Sequence, residues 1–229
     1  MNLPSDLKKL NYRQCRLLCD EIREILIGTV TKTGGHLASN LGSVELTMAI
    51  HRVFDCPEDK IVWDVGHQAY THKLLTGRFE KFSSLRQEGG ISGFPKPSES
   101  EYDAFISGHS STSISAVCGI ARALRLQNKD NCAVAVIGDG AFTGGMAYEG
   151  LNNAGKSGDN IIIILNHNDM SISKNVGALA KYLTSIRSKP EYLNTKNIIE
   201  RALNNTPLLG QPLKKIIKTS KSALKGVLY

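Results

Sequence analysis

Asp139 stands alone among glycines in AVIGDGAFTGGMAYEG (residues 135–150), between an apolar run and a glycine-studded segment of helical character. Twenty-nine residues later, NIIIILNHNDM places Asn168 just beyond a second apolar run. One carboxylate, one neutral amide and free loop carbonyls make a hard-oxygen set of low charge. Such a set suits Mg²⁺, which is commonly held by one or two carboxylates together with phosphate oxygens. The glycines let the backbone approach a ligand, and the N-terminus of a helix over 144–155 favours an anion. On the residues alone, Asp-Gly after a strand is also often only a turn.

Four of the six histidines fall in loops of this kind: His36 in GGHLAS, His67 in DVGHQAY, His109 in SGHSSTS and His167 in NHND. A lone histidine is more often structural than catalytic. Here, however, His36, His67 and His109 each follow a glycine, which points to a crevice whose lining donates to phosphate or moves protons. GHSSTS, just ahead of a helix, adds hydroxyls and backbone N–H groups for an anion. His51 and His72 read as ordinary helix or loop residues, and no H-x₃-H or HExxH pairing makes a zinc site. Two rival motifs fail. GDGAFT has Thr143 where GxGxxG needs its third glycine. GLNNAGKS (150–157) matches GxxxxGK[ST] but closes a helix and precedes a strand, the reverse of the order a phosphate loop needs, with Gly155 placed as a helix stop.

The elements that must position these residues follow from periodicity. Apolar positions at helical spacing predict a helix over 5–28 ending at Gly28, and a second over 43–54. KIVWDVGHQ reads as a strand running into a loop, and 77–103 as irregular. AFISGHSSTSISAVCGIARALRLQ reads as strand, loop and helix; NCAVAVIGDG as a strand; 144–155 as a helix; and NIIIIL as a further strand. Strands alternating with helices argue for an α/β fold with a parallel sheet, and the continuously apolar strands for helices on both of its faces. Loops at the carboxyl ends of such strands form the binding crevice. If the last two strands are neighbours, Asp139 and Asn168 converge. Continued extended geometry would put 166 and 168 on one side and point His167 the other way.

Composition excludes several classes. The 229 residues allow one large domain or two small ones, and no apolar run approaches the ~18 residues that cross a bilayer. The polar N-terminus has no apolar signal core, and five cysteines without a CxxC pair fit reduced packing thiols, so a cytoplasmic protein is expected. The formal charge of +7 is local: residues 181–229 carry ten Lys/Arg and two Asp/Glu, while the body is near neutral. With three tyrosines as the only aromatics in that tail, solvated helix faces are the better reading than nucleic-acid binding.

Six blocks in order, GGHLASNLGSVELTMAIH, WDVGHQAYTHKLLTGR, GGISGFPKPSESEYD, GHSSTSIS, GDGAFTGGMAYEGLNNAG and NDMSISKNVGAL, resemble the N-terminal domain of the 1-deoxy-D-xylulose-5-phosphate synthase family of thiamine-diphosphate enzymes. The likeness runs from about residue 5 to 180. It implies a three-layer parallel sheet with helices on both faces over 1–180 and a basic helical connecting region over 181–229. It also implies that Asp139, Asn168 and the carbonyl of Met170 hold Mg²⁺ on the cofactor diphosphate. Gly108, His109, Ser110, Gly140, Ala141 and His67 would contact thiamine diphosphate, and His36 would serve proton transfer or the substrate phosphate. The family joins pyruvate to D-glyceraldehyde 3-phosphate with loss of CO₂, for isoprenoid, thiamine and pyridoxal synthesis, and a homodimer is expected by analogy.

Three departures stand out. His167 replaces the usual acid between two asparagines, and little harm is expected if it faces away from the metal. A glycine in TGG (143–145) replaces a common alanine. The sequence stops at Tyr229, whereas the family continues into a pyrimidine-binding domain, which supplies an activating glutamate, and a C-terminal domain. The chain alone is therefore expected not to turn over. A transketolase-like N-terminal subunit of other specificity and a non-catalytic cofactor-binding protein are the competing readings.

Overall fold

The computed structural model describes residues 4–167, all of them within one compact unit, Met1–Asn175. Its sheet has three parallel strands in the order β1 (Lys60–Trp63), β2 (Ala133–Gly138) and β3 (Ile161–Asn166). The register pairs Lys60 with Ala133 and Trp63 with Val136 on one side of β2. On the other it pairs Ala133 with Ile161 and Gly138 with Asn166.

β2 shows why the strands read as continuous apolar runs. Ala133, Ala135 and Ile137 pack with Val117, Ala121 and Ala147, from helices α6 (Ser113–Leu126) and α8 (Gly145–Ser157). Val134 and Val136 pack on the opposite face with Ile50 of α4 (Val44–Val53), Trp63 and Ala69. Both faces are covered, so no polar alternation survives. A third cluster joins the buried stripe of α2 (Tyr12–Thr33), namely Cys15, Cys19, Ile22, Leu26 and Val30, to Met48, Tyr70 and Phe82. The expected three-layer α/β architecture is present, and Cys15 and Cys19 are packing thiols.

The helix expected over 5–28 is instead two. α1 (Pro4–Leu7) is separate, and α2 starts after a capping box that periodicity did not reveal. The Asn11 side chain accepts from the Gln14 N–H (3.0 Å), and Gln14 Oε1 accepts from the Asn11 N–H (2.8 Å). Gly28 does not end α2; the helix runs on to Gly34, whose φ of +75° suits glycine. Likewise α8 passes through Gly155 and stops at Gly158 in the left-handed region (φ +63°). GLNNAGKS lies wholly inside α8, so it forms no phosphate loop.

The strand expected at AFIS is absent. That segment crosses the end of β1: the Ser107 N–H reaches the Pro95 carbonyl (3.5 Å) and its Oγ donates to the Trp63 carbonyl (3.0 Å). Short helices α3 (Leu37–Leu41), α5 (Tyr70–Lys73) and α7 (Asp139–Phe142) complete the elements used below. Among the described residues no helix is long and apolar enough to cross a membrane.

Candidate functional site

The motif loops meet at the carboxyl edge of the sheet. β1 ends at Trp63, and Asp64–Val65–Gly66 form a tight turn in which the Gly66 N–H bonds the Asp64 carbonyl at 2.6 Å. Val65 is held at φ +59°, an unfavourable region for a β-branched residue. A Cβ on Gly66 (φ +86°) would lie 2.6 Å from Pro95 Cδ and 2.7 Å from Ser107 Cβ, so the 94–107 segment seats directly on this turn. The turn delivers His67 toward His36, their ring centroids 5.4 Å apart and edge to face. Burial lowers the pKa of His67, His36 adds to the effect, and Asp64 opposes it. Burial followed by Arg86 lowers that of His36. Both rings are therefore neutral near pH 7, as a proton acceptor must be.

What sets the two histidine loops against each other is Asn40, fully buried in α3. Its Nδ2 donates to the carbonyls of His36 (2.6 Å) and His67 (2.7 Å), and its Oδ1 accepts from the Tyr70 N–H (2.9 Å). Gln68 does the same across the sheet, accepting at Oε1 from Asn166 Nδ2 at 3.1 Å. His67 Nδ1 and Gln68 Nε2 are buried and lack a hydrogen-bond partner among the described residues. Two such polar atoms at one strand edge fit a site that takes a polar ligand.

Gly108, His109 and Ser110 are exposed, with Gly108 at φ +153°, and they precede α6. Two backbone N–H groups at this helix start, expected to be open to an anion, are taken by a protein carboxylate. Asp64, 1% exposed, accepts from the Ser111 N–H (2.8 Å) and the Ser113 N–H (3.0 Å).

Asp139 follows β2 directly and opens α7; its Oδ1 accepts from the Gly140 N–H at 3.0 Å. Gly140 is exposed and Ala141 half-buried beside it. The expectation that His167 points away is overturned: its Nδ1 lies 2.5 Å from Asp139 Oδ2. The register explains this. Gly138 pairs with Asn166, so the next step puts 167 beside 139, and paired residues of parallel strands project to the same side. Asn168 and Met170 lie outside the described residues.

A second cluster was missed altogether. His51 Nε2 and His72 Nδ1 are 2.8 Å apart, and His72 Nε2 lies 2.9 Å from Asp103 Oδ1. Asp103 also receives a two-pronged contact from Arg78 (2.6 and 2.9 Å) and the Lys96 N–H (2.7 Å). Buried Lys73 pairs with Glu99, which also accepts from Arg78. Burial opposes ionisation of Asp103, but the bonds from His72 and Arg78 win and hold its pKa below the usual range. Spaced 21 and 31 residues apart, the His51–His72–Asp103 chain matches no local motif.

The fold and this crevice define an α/β protein of the parallel-sheet kind, with its polar site at the carboxyl ends of the strands. A family model described as 1-deoxy-D-xylulose-5-phosphate synthase matches residues 1–229, and the chain belongs to that family. It is 58% identical over 225 residues to the 1-deoxy-D-xylulose-5-phosphate synthase of Syntrophomonas wolfei, covering 98% of this chain and 35% of that protein. With the synthase of Alkaliphilus oremlandii it shares 54% identity over 234 residues, 100% of this chain and 38% of the relative. The chain thus spans a little over a third of the length of the curated relatives it matches.

Proposed function

We propose that this chain forms the diphosphate- and metal-binding part of a thiamine-diphosphate-dependent 1-deoxy-D-xylulose-5-phosphate synthase, a transferase acting on pyruvate and D-glyceraldehyde 3-phosphate. The observation that carries the reading is the meeting of three motif loops at one strand edge, with Asp139 straight after β2, His67 four residues after β1, and the exposed Gly108–Ser110 run between them in the chain. The orphaned Nδ1 of His67 fits a cofactor partner there.

In this reading Asp139, exchanging its His167 contact for the metal, would hold Mg²⁺ together with Asn168 and the Met170 carbonyl, and the metal would supply the positive charge that a diphosphate needs beside a single carboxylate. Gly108, His109, Ser110, Gly140 and Ala141 line the diphosphate with exposed backbone and short side chains. When bound, the cofactor supplies the nucleophilic carbon and the electron sink for decarboxylation. His67 orients it, and neutral His36, with its ring exposed at the mouth of the loop, accepts or returns a proton on the reacting substrate. Turnover is proposed to need the further length that the relatives carry, in cis or as a second subunit, within a cytoplasmic homodimer.

Calorimetric titration of the chain with thiamine diphosphate tests the reading. Saturable binding is expected with Mg²⁺ and not without it, and loss of at least about tenfold in affinity in Asp139→Ala. Absence of binding by the unaltered chain in Mg²⁺, or binding indifferent to Asp139, overturns it.

A further inference from the structure

Asp64 and Ser111 form a bridge that no motif announces and that joins the ends of two strands to the start of a helix. Asp64 sits at the end of β1, and its buried carboxylate accepts two backbone N–H groups from the GHSSTS loop. A carboxylate so buried is costly unless it is fully hydrogen-bonded, and these two contacts are charge-assisted. Between them the chain is forced into an uncommon conformation: Ser111 has φ +68°, which a non-glycine residue adopts at a cost that its surroundings must offset. From that conformation Ser111 Oγ donates to the Ala141 carbonyl at 2.6 Å. The close approach continues at Gly144, where a Cβ would lie 2.1 Å from Ser111 Oγ. Glycine there is thus matched to Ser111 rather than a simple weakening of the helix start.

We infer that Asp64 and Ser111 are positioning residues that fix the Gly108–Ser110 loop relative to the Asp139–Ala141 turn, so that one diphosphate meets both. This deepens the cofactor reading and rests on it for the identity of the ligand. The bridge itself does not. Neither residue needs to touch the cofactor: Asp64 acts through the backbone of Ser111 and Ser113, and Ser111 through the backbone of Ala141. Strain held at a ligand-facing loop by buried contacts is a recurrent means of preorganisation.

Amide hydrogen exchange on the full chain, without ligand, tests the bridge directly. In Asp64→Asn one of two acceptor oxygens becomes a donor, so exchange is expected to quicken across 108–113. Through Ser111 it should quicken across 140–144 as well. Ser111→Ala removes the Oγ contact alone and should quicken 140–144. Val30→Ala, a core change in α2 away from these loops, is the control for general loosening and should leave both segments unchanged relative to the rest. Exchange at 140–144 that ignores both site variants overturns the inference, whatever the ligand.

Thiamine diphosphate titration in Mg²⁺ is the second arm. Asp64→Asn and Ser111→Ala should each weaken binding about tenfold, the scale of one lost hydrogen bond, while Val30→Ala leaves it within about twofold. Equal weakening in all three variants would mean mere destabilisation and overturns the positioning role. If the unaltered chain binds no thiamine diphosphate, the functional reading fails, and the exchange data still decide whether the two loops are coupled.

Discussion

Asp103 gathers His72, Arg78, Lys73 and the Lys96 N–H around one buried carboxylate. Among the described residues Asp103→Asn would leave Glu99 as the one carboxylate paired with Arg78 and Lys73, and is expected to cost about 3–5 kcal/mol in urea unfolding. Glu45→Gln, which removes an exposed pair with Arg23, should cost within about 1 kcal/mol. The same cluster sets a pH dependence. Burial holds His51 well below its usual pKa, aided by His72 and Arg78, and burial lowers that of His72 too. Folded, these rings stay neutral where the unfolded chain would bind protons. Stability is therefore full above about pH 6.5 and is lost as pH falls from there through the depressed folded-state pKa of each ring, over the wider window for His51. Asp103, with its depressed pKa, adds a loss in the acid carboxylate range. His51→Gln should flatten the fall in melting temperature between pH 6.5 and 5; an unchanged slope would contradict this account. At this scale the sequence disclosed the candidate residues at the strand edge, because His36, His67 and Asp139 sit in glycine-marked loops. It hid those that hold the loops. Asn40 and Asp64 work through backbone groups distant in sequence, and Gln68 through the side chain of Asn166; an isolated buried amide or carboxylate has no local signature.

At the scale of elements, periodicity located helices and strands well and their ends poorly, for reasons visible in the glycines. Gly28 and Gly155 read as stops in the sequence, yet each lies inside a helix with nothing within 4 Å of where a Cβ would be. The true stops, Gly34 and Gly158, are those with positive φ, a backbone property that composition does not encode. Gly28→Ala is accordingly expected to stabilise the protein by about 0.5–1 kcal/mol, read as a higher melting temperature. Gly158→Ala, at φ +63°, should destabilise by a similar amount. The missed break between α1 and α2 shows the converse. Asn11 and Gln14 form a capping box whose pattern was legible in NYRQ, but the apolar spacing ran across it. AFIS failed as a strand because Ser107 gives its hydroxyl to the Trp63 carbonyl and its N–H to the Pro95 carbonyl instead of joining a ladder, while Phe105 and Ile106 stay exposed.

On the scale of the whole molecule, the pairing of β2 with β3 was legible as a condition, since a crossover of that length, made here by α7 and α8, can return the chain to the neighbouring strand. Their register was not. Only the pairing of Gly138 with Asn166 reveals that residue 167 stands beside Asp139. The layered interior has one more consequence. Its five free thiols are shared among the three packed clusters: Cys15 and Cys19 under α2, Cys118 between α6 and the sheet, and Cys56 with Cys132 on the α4 side. Burial pushes Cys19 and Cys56 up to about 12, and it raises Cys118 and Cys132 as well. At Cys19 and Cys56 a thiol-specific reagent at pH 8 thus finds almost no thiolate until a layer opens. Mass-resolved alkylation of each cysteine would then act as a set of clocks, one per layer. Cys19 and Cys118 should react together if the interior opens as a unit, and at separate rates if the α2 layer lifts away before the sheet does.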